Sequence, residues 1–398
     1  MIKVTLSNEI LRYITDIEKN KFSVANVSLP RQTVNKLRKN SKKKSSYASN
    51  KIEGNPLTEK QADEVIERDE RKHFLKPEQE VRNYFLALNL LEKKRKEKAA
   101  FNVDLILEVQ KLVCKGASKE KIGLRGPTPP GVLFAVYDSQ TGHADYIPPE
   151  YKDIPVLLEE LVTYVNTTDD HPLIVAALVH YQLVTIHPFE DGNGRTARLL
   201  SGYILDINGY GFNGIGSLDE YFAYDVGEYY DSIQMGLPPL YYDGRDNPPH
   251  PEIWIHYFLR MVLLYSNKVC ELSKKSRGKD VEGSLSYLKT REKELLFYLL
   301  SKGKGEFTPI EISKEIGVTN KTVINRLSIL AKNGFVEPIL VNQRIRSYKL
   351  SEFSIENKRS IKKMTEADLV NMGIEDMNSR KIKDGKSTIK KLREKSGI

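Results

Sequence analysis

Apolar residues recur at three- and four-residue spacing along most of the chain, and that period predicts helices. Residues 77–98 carry Tyr84, Leu88 and Leu91 on one face, and residues 101–114 carry Leu105, Val109 and Leu112. Residues 173–186, LIVAALVHYQLVTI, are apolar on nearly every side, which predicts a helix buried within a bundle. The stretch 122–149 breaks the period. Its Gly, Pro and β-forming residues predict a turn and then a short hairpin over 131–147, with residues 132–136 as the β-rich part. Residues 237–251 again hold prolines and glycines and predict a loop before a helix bearing Trp254, Phe258 and Met261.

Residues 272–286, LSKKSRGKDVEGSLS, are polar and charged and predict a linker. A compact unit is expected beyond it, to about Leu350. Helices are predicted over 290–301, 310–316 and 320–333, with Gly317-Val318-Thr319 as the turn between the last two. Strands follow Gly334, over 335–340 and 344–350. This is the pattern of a winged helix-turn-helix, whose second helix can enter a major groove. The last segment, 356–398, has 12 basic and 7 acidic residues and few large apolar ones, and reads as a partly ordered basic tail.

Charge sharpens that division. The 398 residues carry a net +9, but residues 271–398 hold 28 Lys/Arg and 17 Asp/Glu, so the rest is close to neutral. A basic C-terminal third suggests a polyanionic partner, with DNA the expected one. Lys321, Thr322, Asn325 and Arg326 are the candidate contacts on the helix, and Arg344 and Arg346 those on the wing. No run of 18 apolar residues predicts a membrane span, and the first twenty residues lack a secretory h-region. Cys114 and Cys270 stand far apart, as expected of reduced thiols in a cytoplasmic protein.

The chemistry concentrates at His187-Pro-Phe-Glu-Asp-Gly-Asn-Gly-Arg-Thr-Ala-Arg198. Pro188 ends the buried helix. Gly192 and Gly194 permit a tight turn before a second helix that carries Leu199, Tyr203 and Ile204 and stops at Asn208-Gly209. Free N–H groups at that helix start favour an anion. Arg195 and Arg198, three apart in the first turn, oppose the helix dipole and repel each other. A bound polyphosphate gives both guanidinium groups a partner. Asp191, just before the glycines, is placed as a Mg²⁺ ligand beside such phosphates. His187 has a pKa suited to taking a proton from a hydroxyl.

HPFEDGNGRTAR resembles the signature of the Fic family, H-P-F-x-[DE]-G-N-G-R-x-x-R, at every fixed position. The resemblance implies an all-α core with a short β-hairpin flap and transfer of AMP from Mg²⁺·ATP to a Ser, Thr or Tyr hydroxyl of a target protein. It implies that His187 deprotonates that hydroxyl and that Asp191 holds Mg²⁺ between the α- and β-phosphates. It further implies that Gly192, Asn193 and Gly194 cradle the phosphates, that Arg195 meets the β-phosphate region and Arg198 the γ-phosphate, and that Phe189 anchors the loop. The hairpin at 131–147 resembles the family's flap, which pairs with the target segment as an added strand. Tyr229 and Tyr230 resemble a pair that borders the adenine pocket in relatives. A homodimer is a further expectation, since relatives often self-associate.

Residues 45–55, SSYASNKIEGN, predict a short helix ended by Gly54 and Asn55 before Pro56. Glu53 then sits at a helix C-terminus, where an anion is disfavoured, as a cation is at Arg198. Pairing would relieve both. Ser49-x-x-x-Glu53-Gly54 resembles the family's inhibitory motif [ST]-x-x-x-[EQ]-[GN], which implies that Glu53 binds Arg198 and blocks correct docking of the γ-phosphate. Two other functions stay open. One is a DNA- or partner-binding regulator with the core as nucleotide sensor; the other is an enzyme using a different phosphate-containing donor. Gly194 is present where phosphate-transferring relatives depart from the motif. The expected order is a helical N-terminal region (1–110), the catalytic core (111–271), the winged helix (286–350) and the tail (356–398).

Overall fold

The computed structural model describes residues 2–25, 29, 31–68, 73–132, 134–137, 144–236, 248–303, 305–341 and 344–378. They fall into two compact units, Met1–Val24 with Leu37–Cys270, and Ala25–Lys36 with Glu271–Ile398.

The first unit is helical. Its N-terminal part holds α1 (Asn8–Ala25), α2 (Arg31–Ile52), α3 (Glu59–Glu67), α4 (Lys76–Lys96) and α5 (Val103–Cys114). A small hairpin, β1 (Val136–Tyr137) and β2 (Ala144–Tyr146), precedes α6 (Ile154–Thr167), α7 (Pro172–Ile186) and α8 (Asn193–Ile207). Short α9 (Asp219–Phe222) and α10 (Val226–Gln234) lead to α11 (Pro251–Ser286). The expected all-round burial of 173–186 holds: in α7 every residue from Leu173 to Leu183 is buried. Trp254 of α11 lies fully buried and donates from Nε1 to the Ala177 carbonyl at 2.8 Å. Such a helix can form the centre of a bundle because every side of it is apolar.

Three expectations are corrected here. The inhibitory segment is not a short helix but the last turn of the 22-residue α2. No Gly or Pro interrupts 31–53, so nothing in the sequence stops the helix before Gly54, whose φ is +79°. The proposed linker at 272–286 is the C-terminal part of α11. Its Lys, Arg, Glu and Ser residues tolerate a helix, and it lacks proline. Among the described residues, the hairpin strand is shorter and later than 132–136: Val136 and Tyr137 pair with Tyr146 and Ala144. Residues 138–143 and 237–247, covering the hairpin turn and most of the predicted loop, lie outside the described residues.

The second unit holds three helices and two strands at the positions expected, and a further short strand, Glu306–Phe307, beyond them. It contains α12 (Thr290–Lys302), β3 (Glu306–Phe307), α13 (Pro309–Ile316), α14 (Asn320–Lys332), β4 (Val336–Val341) and β5 (Arg344–Leu350). The strands form an antiparallel sheet in the order β3-β5-β4. Thr308 and Glu311 make a reciprocal capping box on α13, Gly317 ends it in the left-handed region, and Thr319 caps α14. Leu296, Leu300, Ile312, Leu327, Leu330 and Phe335 fill the core. The basic tail is corrected in part. Residues 352–356 form α15 and 358–378 form α16, with Ile361 and Thr365 buried and Asp368 paired with Lys293 of α12. Residues 379–398 lie outside the described residues.

Candidate active site

His187 caps α7 in the left-handed conformation, φ 48° and ψ 58°. A non-glycine residue rarely sits there, and the backbone is held by neighbours. Arg125 donates from Nε to the His187 carbonyl at 2.8 Å, and the Arg125 amide donates to the Pro188 carbonyl at 2.9 Å. The imidazole Nδ1 lies 3.2 Å from the Val184 carbonyl. A carbonyl only accepts, so Nδ1 carries the proton and Nε2 holds the lone pair. The ring is half-buried, and lost hydration pushes its pKa down to about 4; the Arg125 charge acts in the same direction. The imidazole is therefore neutral near pH 7.

The loop after it is clamped by Asn193. Its amide donates to the Phe189 carbonyl at 2.8 Å, and its Oδ1 accepts from the Phe189 N–H at 3.0 Å. Phe189 is fully buried. The Asn193 side chain is thus spent on shaping the loop. Gly192 begins α8 with φ +84°, and a Cβ there would stand 2.8 Å from Cys114 Sγ. Only glycine suits that position. The Asp191 carbonyl accepts from Gln110 Nε2 at 3.2 Å and from Cys114 Sγ at 3.4 Å. Burial pushes the Cys114 thiol up to about 12, so it acts here as a packed, protonated donor.

The two arginines differ. Arg195 Nη2 donates to Asp191 Oδ1 at 2.7 Å, and Nη1 lies 3.8 Å from Glu80. Its buried Nε has no hydrogen-bond partner among the described residues. Arg198 is enclosed. Nε donates to Ser49 Oγ at 2.7 Å, while Nη2 donates to the Ser49 carbonyl at 3.0 Å and to Glu53 Oε1 at 2.7 Å. Nη1 reaches the Tyr229 hydroxyl at 3.3 Å, and Asp219 Oδ1 stands 3.9 Å from Nε. Burial works against the Arg198 charge, but the Glu53 and Asp219 carboxylates outweigh it and hold the guanidinium protonated. A Cβ on Gly194 would lie 2.5 Å from Glu53 Oε1, so glycine also lets the carboxylate approach the helix start.

The structure brings together His187, Asp191, Arg195, Arg198, Ser49 and Glu53. The tyrosine pair meets edge to face, ring centroids 5.1 Å apart, but differs in burial. Tyr229 is buried in an aromatic cluster with Phe222 and Trp254, its hydroxyl 3.0 Å from His180 Nε2, whereas Tyr230 is half exposed. Gly54 contributes its left-handed turn, and its N–H donates to the Lys51 carbonyl at 3.0 Å. Phe134, just before β1, packs at a tilt against the imidazole with ring centroids 6.1 Å apart, and the Arg125 guanidinium lies 4.7 Å from the Phe134 ring centroid. Tyr146 of β2 donates to the Thr185 carbonyl and ties the hairpin to α7. Sequence reasoning missed Arg125, Asp219, Tyr84 and Glu80. Tyr84 Oη donates to Asp219 Oδ1 at 3.1 Å and fixes that carboxylate near Arg198. None of the four sits at a periodic or motif spacing from the loop.

A cavity of about 160 Å³ reaches Arg198 from the side of Tyr84, Asp206 and Asp219, and neither His187 nor Asp191 lines it. Among the described residues no cluster of three His, Cys, Asp or Glu forms a ready metal cage. Asp191 offers a partly exposed carboxylate at the loop, while the neighbouring Glu190 accepts from the Lys121 N–H at 3.3 Å. That donor set fits Mg²⁺, which takes one or two carboxylates and completes its shell with phosphate oxygens and water.

A buried helix, a clamped glycine turn and a second helix that carries Arg195 and Arg198 in its first turn define the core of a helical domain. Residues 100–205 match the sequence model of the Fic/DOC family, and the chain carries a domain of that family. The chain is 31% identical over 212 residues to a protein adenylyltransferase Fic of Nematostella vectensis, covering 52% of this chain and 46% of that one. It is 32% identical over 171 residues to the protein of the same description from Drosophila grimshawi, covering 41% and 33%. The chain thus spans less than half the length of these relatives. In fold it is similar to a Fic family protein from Desulfovibrio desulfuricans G20, with a TM-score of 0.54 at 20% identity, over 88% of this chain and 98% of that one. It is similar also to Fic-1 from C. elegans, with a TM-score of 0.51 at 22% identity, over 68% and 73%. Among the described residues no helix is long and apolar enough to cross a membrane.

Proposed function

We propose that this protein transfers AMP from Mg²⁺·ATP to a hydroxyl side chain of a target protein, and that Glu53 holds the enzyme in a braked state. The observation that carries the reading is the neutral His187, with its Nε2 lone pair free of the Val184 contact, set beside a glycine turn and two arginines. His187 Nε2 takes the proton of the target hydroxyl, whose oxygen bonds to the α-phosphorus as pyrophosphate leaves. The N–H groups of Gly192, Asn193 and Gly194 and the Arg195 guanidinium bind the phosphates. Asp191 would hold Mg²⁺, which supplies charge neutralisation at the phosphates. That requires Arg195 to share or release Asp191 Oδ1. Arg198 receives the γ-phosphate once Glu53 leaves it. The relatives' description as adenylyltransferases supports AMP as the transferred group.

The test is transfer of label from ATP marked separately at the α- and the γ-phosphate, using a Glu53→Gly background. The α-label is expected on protein and the γ-label is not, and adding His187→Ala removes the α-label. Transfer of γ-label would mark a phosphotransferase instead. No transfer from either form, with ATP bound, would contradict the reading.

A further inference from the structure

The second unit has a charged surface that the transfer chemistry does not use. In α14, Val323, Leu327 and Leu330 are buried, and this fixes which face points away from the core. Lys321, Ile324, Asn325 and Ser328 lie on the exposed side. Across 320–350 there are six basic residues and one acidic residue. That one, Glu337, pairs with Lys349 at 3.1 Å across the β4–β5 ladder. Among the described residues, Lys321, Arg326, Lys332, Arg344 and Arg346 form no ion pair, and all but the half-buried Arg326 are exposed. Elsewhere in the same unit Lys302 pairs with Glu315 and Lys293 with Asp368. The 320–350 stretch, with six basic residues to one acidic, is a nearly uncompensated cationic array.

We infer that the exposed face of α14 and the β4–β5 hairpin form a docking surface for duplex DNA, with α14 presented to the major groove. Uncompensated cations repel one another, and an evenly spaced polyanion relieves that repulsion while releasing its own counterions. The groups on α14 have the chemistry of base edges. The Asn325 amide matches adenine, and Ile324, 40% exposed, offers an apolar contact of the kind a thymine methyl accepts. Arg344 and Arg346, at the start of β5, supply the backbone contacts that orient the unit. Exposed Leu340 and Ile345 flank these arginines and suit the sugar walls of a groove. The surface lies wholly within the second unit and does not depend on what the His187 site transfers.

The test is fluorescence anisotropy of a labelled mixed-sequence duplex titrated with the full chain at about 50 and about 200 mM salt. Binding is expected at the lower salt, weakening about a hundredfold at the higher if about four phosphates are neutralised. Lys321→Glu with Arg344→Glu and Arg346→Glu should lower affinity more than about tenfold and flatten the salt slope by about three contacts. The triple variant should keep the wild-type thermal transition and the labelling activity of a Glu53→Gly background. No binding by the wild type at low salt would overturn the inference. So would equal binding by the triple variant, which would assign the affinity to residues 379–398. Displacement of the duplex by an acidic peptide at equal charge would overturn it too, and would mark a protein-binding surface.

Discussion

Arg198 is held between two carboxylates of unequal permanence: Glu53 Oε1 accepts from its Nη2 at 2.7 Å, and Asp219 Oδ1 stands 3.9 Å from its Nε. The Glu53 side chain is 29% exposed and ends α2, whereas Asp219 is 11% exposed and tied to Tyr84. A phosphate can displace the first without disturbing the second. Asp219 then remains as the counter-ion that keeps the guanidinium charged and aimed.

Asp219→Asn follows from that division. In a Glu53→Gly background the variant should raise the KM for ATP about tenfold, the loss of roughly one charge-assisted contact, and change kcat less. Steady-state labelling against ATP concentration measures the split. An unchanged KM would show that Asp219 does not position Arg198.

Ser49 contributes two contacts to Arg198, and only one survives truncation. Ser49→Ala removes a hydrogen bond to a charged group, worth about 1.5–3 kcal/mol. The brake should weaken but not vanish, so self-labelling should rise to a level between wild type and Glu53→Gly. Labelling no higher than wild type would assign the restraint to Glu53 alone.

The His187 pKa of about 4 has two consequences with the same sign. The acid limb of kcat/KM for the free enzyme should lie well below the ordinary histidine value of about 6.5. Between those two values the unfolded chain binds a proton that the folded protein refuses, so stability should rise with pH across that interval. Comparing thermal transitions of wild type and His187→Gln from about pH 4 to 7 isolates the contribution. An acid limb near 6.5 would contradict the neutral assignment.

Phe189 is fully buried and exchanges two hydrogen bonds with Asn193. Phe189→Ala should cost about 3–5 kcal/mol of stability and abolish labelling. A variant that kept its stability would show that the ring does not anchor the loop.

The loop of the candidate site was legible because its residues lie within twelve consecutive positions. Glu53 was legible because Gly54 and Pro56 mark a helix end, which places an anion where the dipole disfavours it. Asp219 and Arg125 were not, because they reach the site through tertiary packing and sit at no spacing that a local period reveals. The asparagine of the motif was legible as a residue but not in its role, since a side chain that clamps a loop and one that touches a ligand look alike in sequence. The 272–286 segment was misread for a related reason. Polar composition marks solvent exposure, and an exposed stretch without proline can continue a helix as readily as end one.

The most direct test of the account is the single-turnover rate of α-phosphate label transfer in wild type, Glu53→Gly, and Glu53→Gly with Arg198→Ala. The account predicts a rate in Glu53→Gly at least about tenfold above wild type, as loss of a contact worth about 1.4 kcal/mol or more requires, and a rate in the double variant at or below wild type. Equal rates in wild type and Glu53→Gly, with the protein folded and ATP bound in both, would contradict it.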